Sequence, residues 1–152
     1  MSEVETEFLF ETDIELEPPQ MIGQTPQGNR MIFYVKGGSF QGPKLKGEVL
    51  PGGGDWFLMR PDGVGELDVR GTFRTDDGAL VYVTYRGILH APPQVMARAQ
   101  AGEKVDPGEY YFRTAPLFQT ASEKYDWLNR IQGVGVGWFG RNRVGYRVYA
   151  IR

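Results

Sequence analysis

The sequence has no cysteine, a single histidine, no long hydrophobic run and little net charge. Without cysteine there is no disulfide framework, no thiolate-ligated zinc or iron–sulfur centre and no thiol nucleophile. Metal centres that use imidazole draw on two or three of them, and neither His-x-Glu nor His-Glu-x-x-His spacing occurs, so no metal and no cofactor is expected. The lone His90 precedes Ala91-Pro92-Pro93 at a strand end and suits a loop hydrogen bond better than proton transfer. No apolar stretch approaches the roughly 18–20 residues of a membrane-spanning helix, and Met1-Ser2-Glu3-Val4-Glu5 carries neither a basic leader nor a myristoylation glycine. A formal charge of −2 gives no basic footprint for nucleic acid. The expectation is a cytoplasmic, soluble protein with no nucleic-acid and no membrane partner; whether it forms a homo-oligomer stays open.

What the chain does contain is turn-forming and aromatic residues: 21 Gly, 10 Pro, 9 Phe, 8 Tyr and 3 Trp in 152 residues, enough for one domain spanning 1–152. From Val4 to Leu16 the residues alternate, with Phe8, Phe10, Ile14 and Leu16 on one face and, counting the flanking Glu3 and Glu17, seven acidic residues on the other, as in a half-buried strand. Pro18-Pro19 ends it, and the stretch to Asn29 reads as loop. Further strands are predicted over Arg30 to Val35, Lys46 to Leu50, Trp56 to Arg60, Val64 to Thr75, Ala79 to Leu89, Glu109 to Thr114, Ile131 to Phe139 and Arg143 to Ile151. Two short helices are predicted: one of about ten residues from the capping box Thr120-Ala121-Ser122-Glu123, and one over Gln94 to Ala101. No long helix separates two strands, which argues for antiparallel topology. The fold class is therefore all-β with minor α: one antiparallel β-barrel, or a strongly curved sandwich, of about eight to ten strands.

Two pairings follow from local chemistry. Thr75-Asp76-Asp77-Gly78-Ala79 suits a type I turn with Gly78 left-handed, which sets Phe73 opposite Val81, Val69 opposite Tyr85, Arg70 opposite Thr84 and Asp68 opposite Arg86. Seven acids and no base lie in the first 17 residues, whereas five Arg and no acid follow Asp126. The first and last strands would complement each other and close the barrel.

The segments Gly38-Ser39-Phe40-Gln41-Gly42-Pro43-Lys44-Leu45-Lys46-Gly47, Pro51-Gly52-Gly53-Gly54-Asp55-Trp56, Leu67-Asp68-Val69-Arg70, Thr75-Asp76-Asp77-Gly78, Tyr111-Phe112-Arg113-Thr114 and Tyr125-Asp126-Trp127-Leu128-Asn129 give the chain a resemblance to the DUF3237 family, also called UPF0311. The likeness covers nearly the whole chain. It implies a compact β-barrel. It also implies kinship with proteins of natural-product pathways, for some of which cofactor-independent ring closure or addition has been proposed.

Candidate site residues come from the chemistry of the side chains. Three consecutive glycines before Asp55 suit a tight or mobile loop that presents a carboxylate at a barrel mouth, beside an indole, Trp56, able to cover a planar ligand. The same residues suit a tight loop in which Asp55 caps its own backbone and Trp56 joins the core. Asp68 and Arg70 share one strand face, which lines a wet lumen or meets solvent. Arg113 could hold an anionic group while Tyr111 or Tyr85 donates a phenolic hydrogen bond, or its stem could pack over aromatic surface. Asn129 is a candidate ligand contact near a barrel end, with Tyr125 and Trp127 packed for stability. Asp55, Asp68, Arg70 and Arg113 are thus the catalytic candidates, and Trp56, Tyr85, Tyr111 and Asn129 the ligand-binding ones, converging on one cavity. Gly135-Val136-Gly137-Trp138-Phe139-Gly140 matches a dinucleotide-binding fingerprint but lies in a strand with only twelve residues after it; it reads instead as a smooth strip for close approach.

The function expected is a small-molecule barrel that takes a mostly apolar or aromatic organic ligand and carries the groups for cofactor-independent acid–base chemistry such as cyclisation, intramolecular addition or isomerisation. The alternative is a non-catalytic carrier or sensor of lipocalin-like type. A single-strand nucleic-acid binder of OB type lacks its basic groove.

Overall fold

The computed structural model describes residues 3–152. At the Thr75–Ala79 turn Gly78 is left-handed, with φ 90°. The Thr75 N–H donates to the Ala79 carbonyl at 2.9 Å, and the Ala79 N–H donates to the Thr75 hydroxyl at 2.9 Å. That turn joins β6 (Val64–Thr75) to β7 (Leu80–His90) in the expected register, with Phe73 opposite Val81, Val69 opposite Tyr85, Arg70 opposite Thr84 and Asp68 opposite Arg86.

The other long strands are β1 (Thr6–Leu16), β3 (Gly28–Gln41), β10 (Gln132–Gly140) and β11 (Arg143–Ile151), with the shorter β5 (Gly54–Met59) and β8 (Tyr111–Thr114). Hydrogen bonding runs β6-β5-β3-β1-β11-β10-β8-β7 and back to β6, a closed eight-stranded antiparallel barrel. β4 (Lys46–Val49) continues the row of β5 between β3 and β6, and β9 (Leu117–Thr120) continues the row of β8 alongside β7. First and last strands are neighbours: β1 pairs β11, and Arg143, Arg147 and Arg152 form exposed ion pairs with Asp13, Glu11 and Glu7.

Three local readings change. β2 (Gln20–Thr25) lies where the sequence reads as loop, and β9 where no strand is predicted. β2 has no alternation and carries a left-handed Gly23 at a bulge, so only its pairing with the long β3 makes it a strand. β3 itself continues past Val35 to Gln41, held by β1 on one edge and β4 on the other. The helix expected from Thr120 does not form. Thr120 ends β9, donates its hydroxyl to the Leu80 carbonyl at 2.8 Å, and has both backbone groups bonded by the Asn129 amide. With those groups already satisfied, only a 3₁₀ turn over Asp126–Arg130 follows, pinned by the buried Leu128. The other helix, α1 (Pro93–Gln100), is present, with Val95 and Ala99 buried. No helix among the described residues is long and apolar enough to cross a membrane.

The interior is divided along the barrel axis. One half is solid: the Phe10 ring meets those of Phe40, Phe73 and Phe118 at 5.5, 5.8 and 6.1 Å. The other half is hollow. Gly137 of the glycine strip faces the Phe112 ring of the neighbouring β8, where a Cβ would come within 2.8 Å, so the strip serves close packing of adjacent strands.

Candidate functional site

The hollow half is a cavity of about 270 Å³, near the lower end of small-molecule pockets. Its walls combine aliphatic residues such as Ile14 and Leu89 with methionines and aromatics, among them Met31, Met59, Met96 and Phe57. The mouth lies between β2, α1 and the β10–β11 turn, where Met21, Gln100, Asn142 and Arg143 are exposed. At the other end, Asp55, Tyr85 and Tyr146 carry the innermost cavity-lining side chains of β5, β7 and β11, so they form its floor above the phenylalanine-packed half.

Asp55 is placed by the glycine run before it. Gly52 is left-handed with φ 103°, and at Gly53 a Cβ would sit 2.5 Å from the Arg70 carbonyl oxygen, so the chain passes β6 at a distance only glycine allows. β5 begins immediately after, and Asp55, opposite Val69, points inward. The loop is a tight turn, and the carboxylate stands on a strand at the cavity floor, not on a loop at the mouth. Its Oδ1 accepts the Asp68 N–H at 3.0 Å. Burial pushes the carboxyl from its ordinary 3.8 up to about 7; the Asp68 N–H opposes this, the Asp68 charge adds to it and the Arg30 charge opposes it.

Two phenols face that carboxyl. The rings of Tyr85 and Tyr146 lie 5.1 Å apart at 73°, and Tyr146 also meets Phe112 at 5.4 Å. Burial pushes both hydroxyls well above their ordinary value of 10.0; the Asp55 charge raises each further, while a hydrogen-bonding contact with Tyr146 pulls Tyr85 partly back. Both stay protonated across the physiological range and act as donors. The arrangement places a group that can give or take a proton near neutrality in one apolar container with two hydroxyl donors.

Of the residues expected to converge, Asp55 and Tyr85 do, and the others do not. The inner face of β6 carries Leu67, Val69 and Phe73, so Asp68 and Arg70 project outward. Arg70 and Tyr34 flank the Trp56 ring on the outside, at 5.6 and 6.2 Å. Arg113 covers Tyr111 at 4.9 Å, and its guanidinium donates to the Phe112 carbonyl at 2.9 Å. It borders a separate outer groove with Arg86 and Glu66. Tyr111 is half exposed. Asn129 holds Thr120 and is remote from the cavity lining. For Asp68, Arg70 and Arg113 the physical reason is shared: the interior is walled by apolar side chains, so the apolar positions of β6 and β8 turn inward and the polar ones meet solvent. Tyr146 was not among the sequence candidates, although its place in the alternation of Val144, Tyr146 and Val148 marks it as inward-facing.

These features define a class: closed antiparallel barrels that are solid at one end and hold a single carboxyl on the floor of an apolar cavity at the other. The chain belongs to the family described as protein of unknown function (DUF3237), whose model matches residues 4–151. It is 40% identical over 129 residues to a UPF0311 protein of Clostridium acetobutylicum, covering 84% of this chain and 82% of that protein. The crystal structure of a conserved protein of unknown function from Rhodopseudomonas palustris superposes with a TM-score of 0.94 at 34% identity, covering 100% of both chains. A more distant relative, 29% identical over 129 residues and covering 85% of this chain and 71% of its own length, is a hydroalkoxylation enzyme of Penicillium herquei.

Proposed function

We propose that this protein is a cofactor-independent acid–base catalyst that rearranges a mostly apolar organic molecule by intramolecular addition, with Asp55 as the proton-transfer group. The observation that carries the reading is the Asp55 carboxyl at the cavity floor, raised to about 7 by burial and faced by Tyr85 and Tyr146. A carboxyl poised near the working pH is half in the form that accepts a proton and half in the form that gives one. The fungal relative supports addition of a hydroxyl across a carbon–carbon double bond. In that step the Asp55 carboxylate takes the proton of the substrate hydroxyl as its oxygen bonds to one alkene carbon. The π electrons move to the other carbon, conjugated to a carbonyl that Tyr85 or Tyr146 polarises by hydrogen bonding. That carbon is then protonated by Asp55, so the product is an isomer of the substrate. The Asp68 backbone N–H positions the carboxylate, while the side chains of Asp68, Arg70 and Arg113 have no part in this step.

The test is ring closure of 2′-hydroxychalcone to flavanone, followed by absorbance against the spontaneous background. Acceleration by the wild type, lost by roughly 100-fold or more in Asp55→Asn and reduced in Tyr146→Phe, is the expected result. The same rate in Asp55→Asn as in the wild type overturns the assignment. Binding of the probe with no acceleration favours the carrier reading, which the methionine-rich, adaptable wall also suits.

A further inference from the structure

The charged groups around the cavity are arranged with one sign missing. Inside, among the described residues, the only side chain able to bear charge at neutral pH is Asp55. The nearest cation behind it, Arg30, donates to the Trp56 carbonyl at 2.7 Å and does not line the cavity. At the mouth Arg143 is bound by the Asp13 carboxylate and lies opposite Glu15 in the β1–β11 register. Every element that faces Asp55 can be accounted for: β7 and β11 present the phenols of Tyr85 and Tyr146, β6 presents the Asp68 N–H with its charge outside, and β3 contributes Arg30 from outside. An anion entering this space would lose its water, leave behind Arg143 at the mouth, which Asp13 already neutralises, and approach a group of its own sign on the floor. A cation would have to hold Asp55 ionised in apolar surroundings, whereas a neutral hydroxyl or carbonyl finds a donor or acceptor at each floor group.

Resting on the reading of this cavity as the ligand site, we propose that it selects by charge: it takes uncharged, ring-bearing molecules that lead with a hydroxyl or carbonyl, and bars carboxylates, phosphates and nucleotide thioesters. The apolar remainder of the ligand then lies along Met31, Met59 and Met96 toward the mouth. The class of reaction that supplies such a substrate must therefore deliver it released from any anionic carrier.

Three probes with the same ring system test this by calorimetry or fluorescence on the intact protein: 2-naphthol, 2-naphthoate and 2-naphthylmethylammonium. At about pH 6, where Asp55 is mostly protonated, 2-naphthol is expected to bind at least tenfold more tightly than either ion. At about pH 8 the deficit of 2-naphthoate should widen, and Asp55→Asn should recover about tenfold of its affinity by removing the like charge. Either ion binding within threefold of 2-naphthol at pH 6, or 2-naphthoate unmoved by Asp55→Asn, overturns the proposal. These readouts need no turnover. A charge rule that holds while Asp55→Asn closes the chalcone ring at the wild-type rate sinks the catalytic reading alone, and the reverse pattern sinks the charge rule alone.

Discussion

At the scale of the residue, the buried Asp55 carboxyl costs stability once it ionises. Its folded pKa lies above its unfolded value, so the folded state holds the proton more tightly. Stability contributed by the neutral carboxyl is complete below about 3.8 and is lost as pH rises to about 7. Each tenfold gain in proton affinity on folding is worth about 1.4 kcal/mol, so the ionised form carries a penalty of a few kcal/mol at alkaline pH. Asp55→Asn is therefore expected to melt several degrees above the wild type near pH 8 and at nearly the same temperature near pH 4, as checked by thermal melts across that range. A constant difference between the two proteins would mean that burial does not raise the carboxyl's pKa. The glycine run before it marked a tight passage in the sequence, but the inward place of Asp55 on β5 was not legible, since such a run does not say which side of a strand comes next. Tyr146 was harder to single out because an inward tyrosine among valines has the same pattern whether it packs or reacts.

At the scale of the element, the row shared by β4 and β5 is broken by Pro51-Gly52-Gly53, and the break sets where β5 starts and hence where Asp55 stands. Gly53→Ala would place a Cβ 2.5 Å from the Arg70 carbonyl oxygen. It should destabilise the protein by roughly 1–3 kcal/mol in urea unfolding, and should lower the chalcone rate beyond what the residual folded fraction explains. Loss of stability with normal activity per folded molecule would show that the break serves the fold alone. The β6–β7 register was legible because turn chemistry and apolar alternation agreed at every pair. The inward face of β6 was not, because a polar strand face is compatible with a wet lumen. Only the burial of Leu67, Val69, Val81 and Val83 shows that the inward face is the apolar one. The Thr120 helix failed as a prediction because a capping box describes local bonds, and those of Thr120 are taken by β7 and Asn129.

At the scale of the whole molecule, closure joins the acidic first strand to the arginines of the last. Charge asymmetry pointed to the pairing, yet Arg143, Arg147 and Arg152 lie in exposed pairs that contribute no more than about 1 kcal/mol each. The combined change of these three to alanine should lower stability by at most about 3 kcal/mol at low salt, with the difference shrinking in high salt, as measured by urea midpoints. A total collapse of the fold would mean that charge, and not the backbone ladder of β1 and β11, holds the barrel shut.

The division into a solid end and a hollow end separates two kinds of tolerance to change. The phenylalanine-packed end supplies the cohesion, and a methylene added or removed there is felt by close-packed neighbours. The methionine-lined end borders empty space, where a longer or shorter side chain alters the shape of the cavity before it strains the frame. A lineage built on this plan can change what it accommodates by resculpting one end while the other keeps the chain folded, so new specificities do not require a new scaffold.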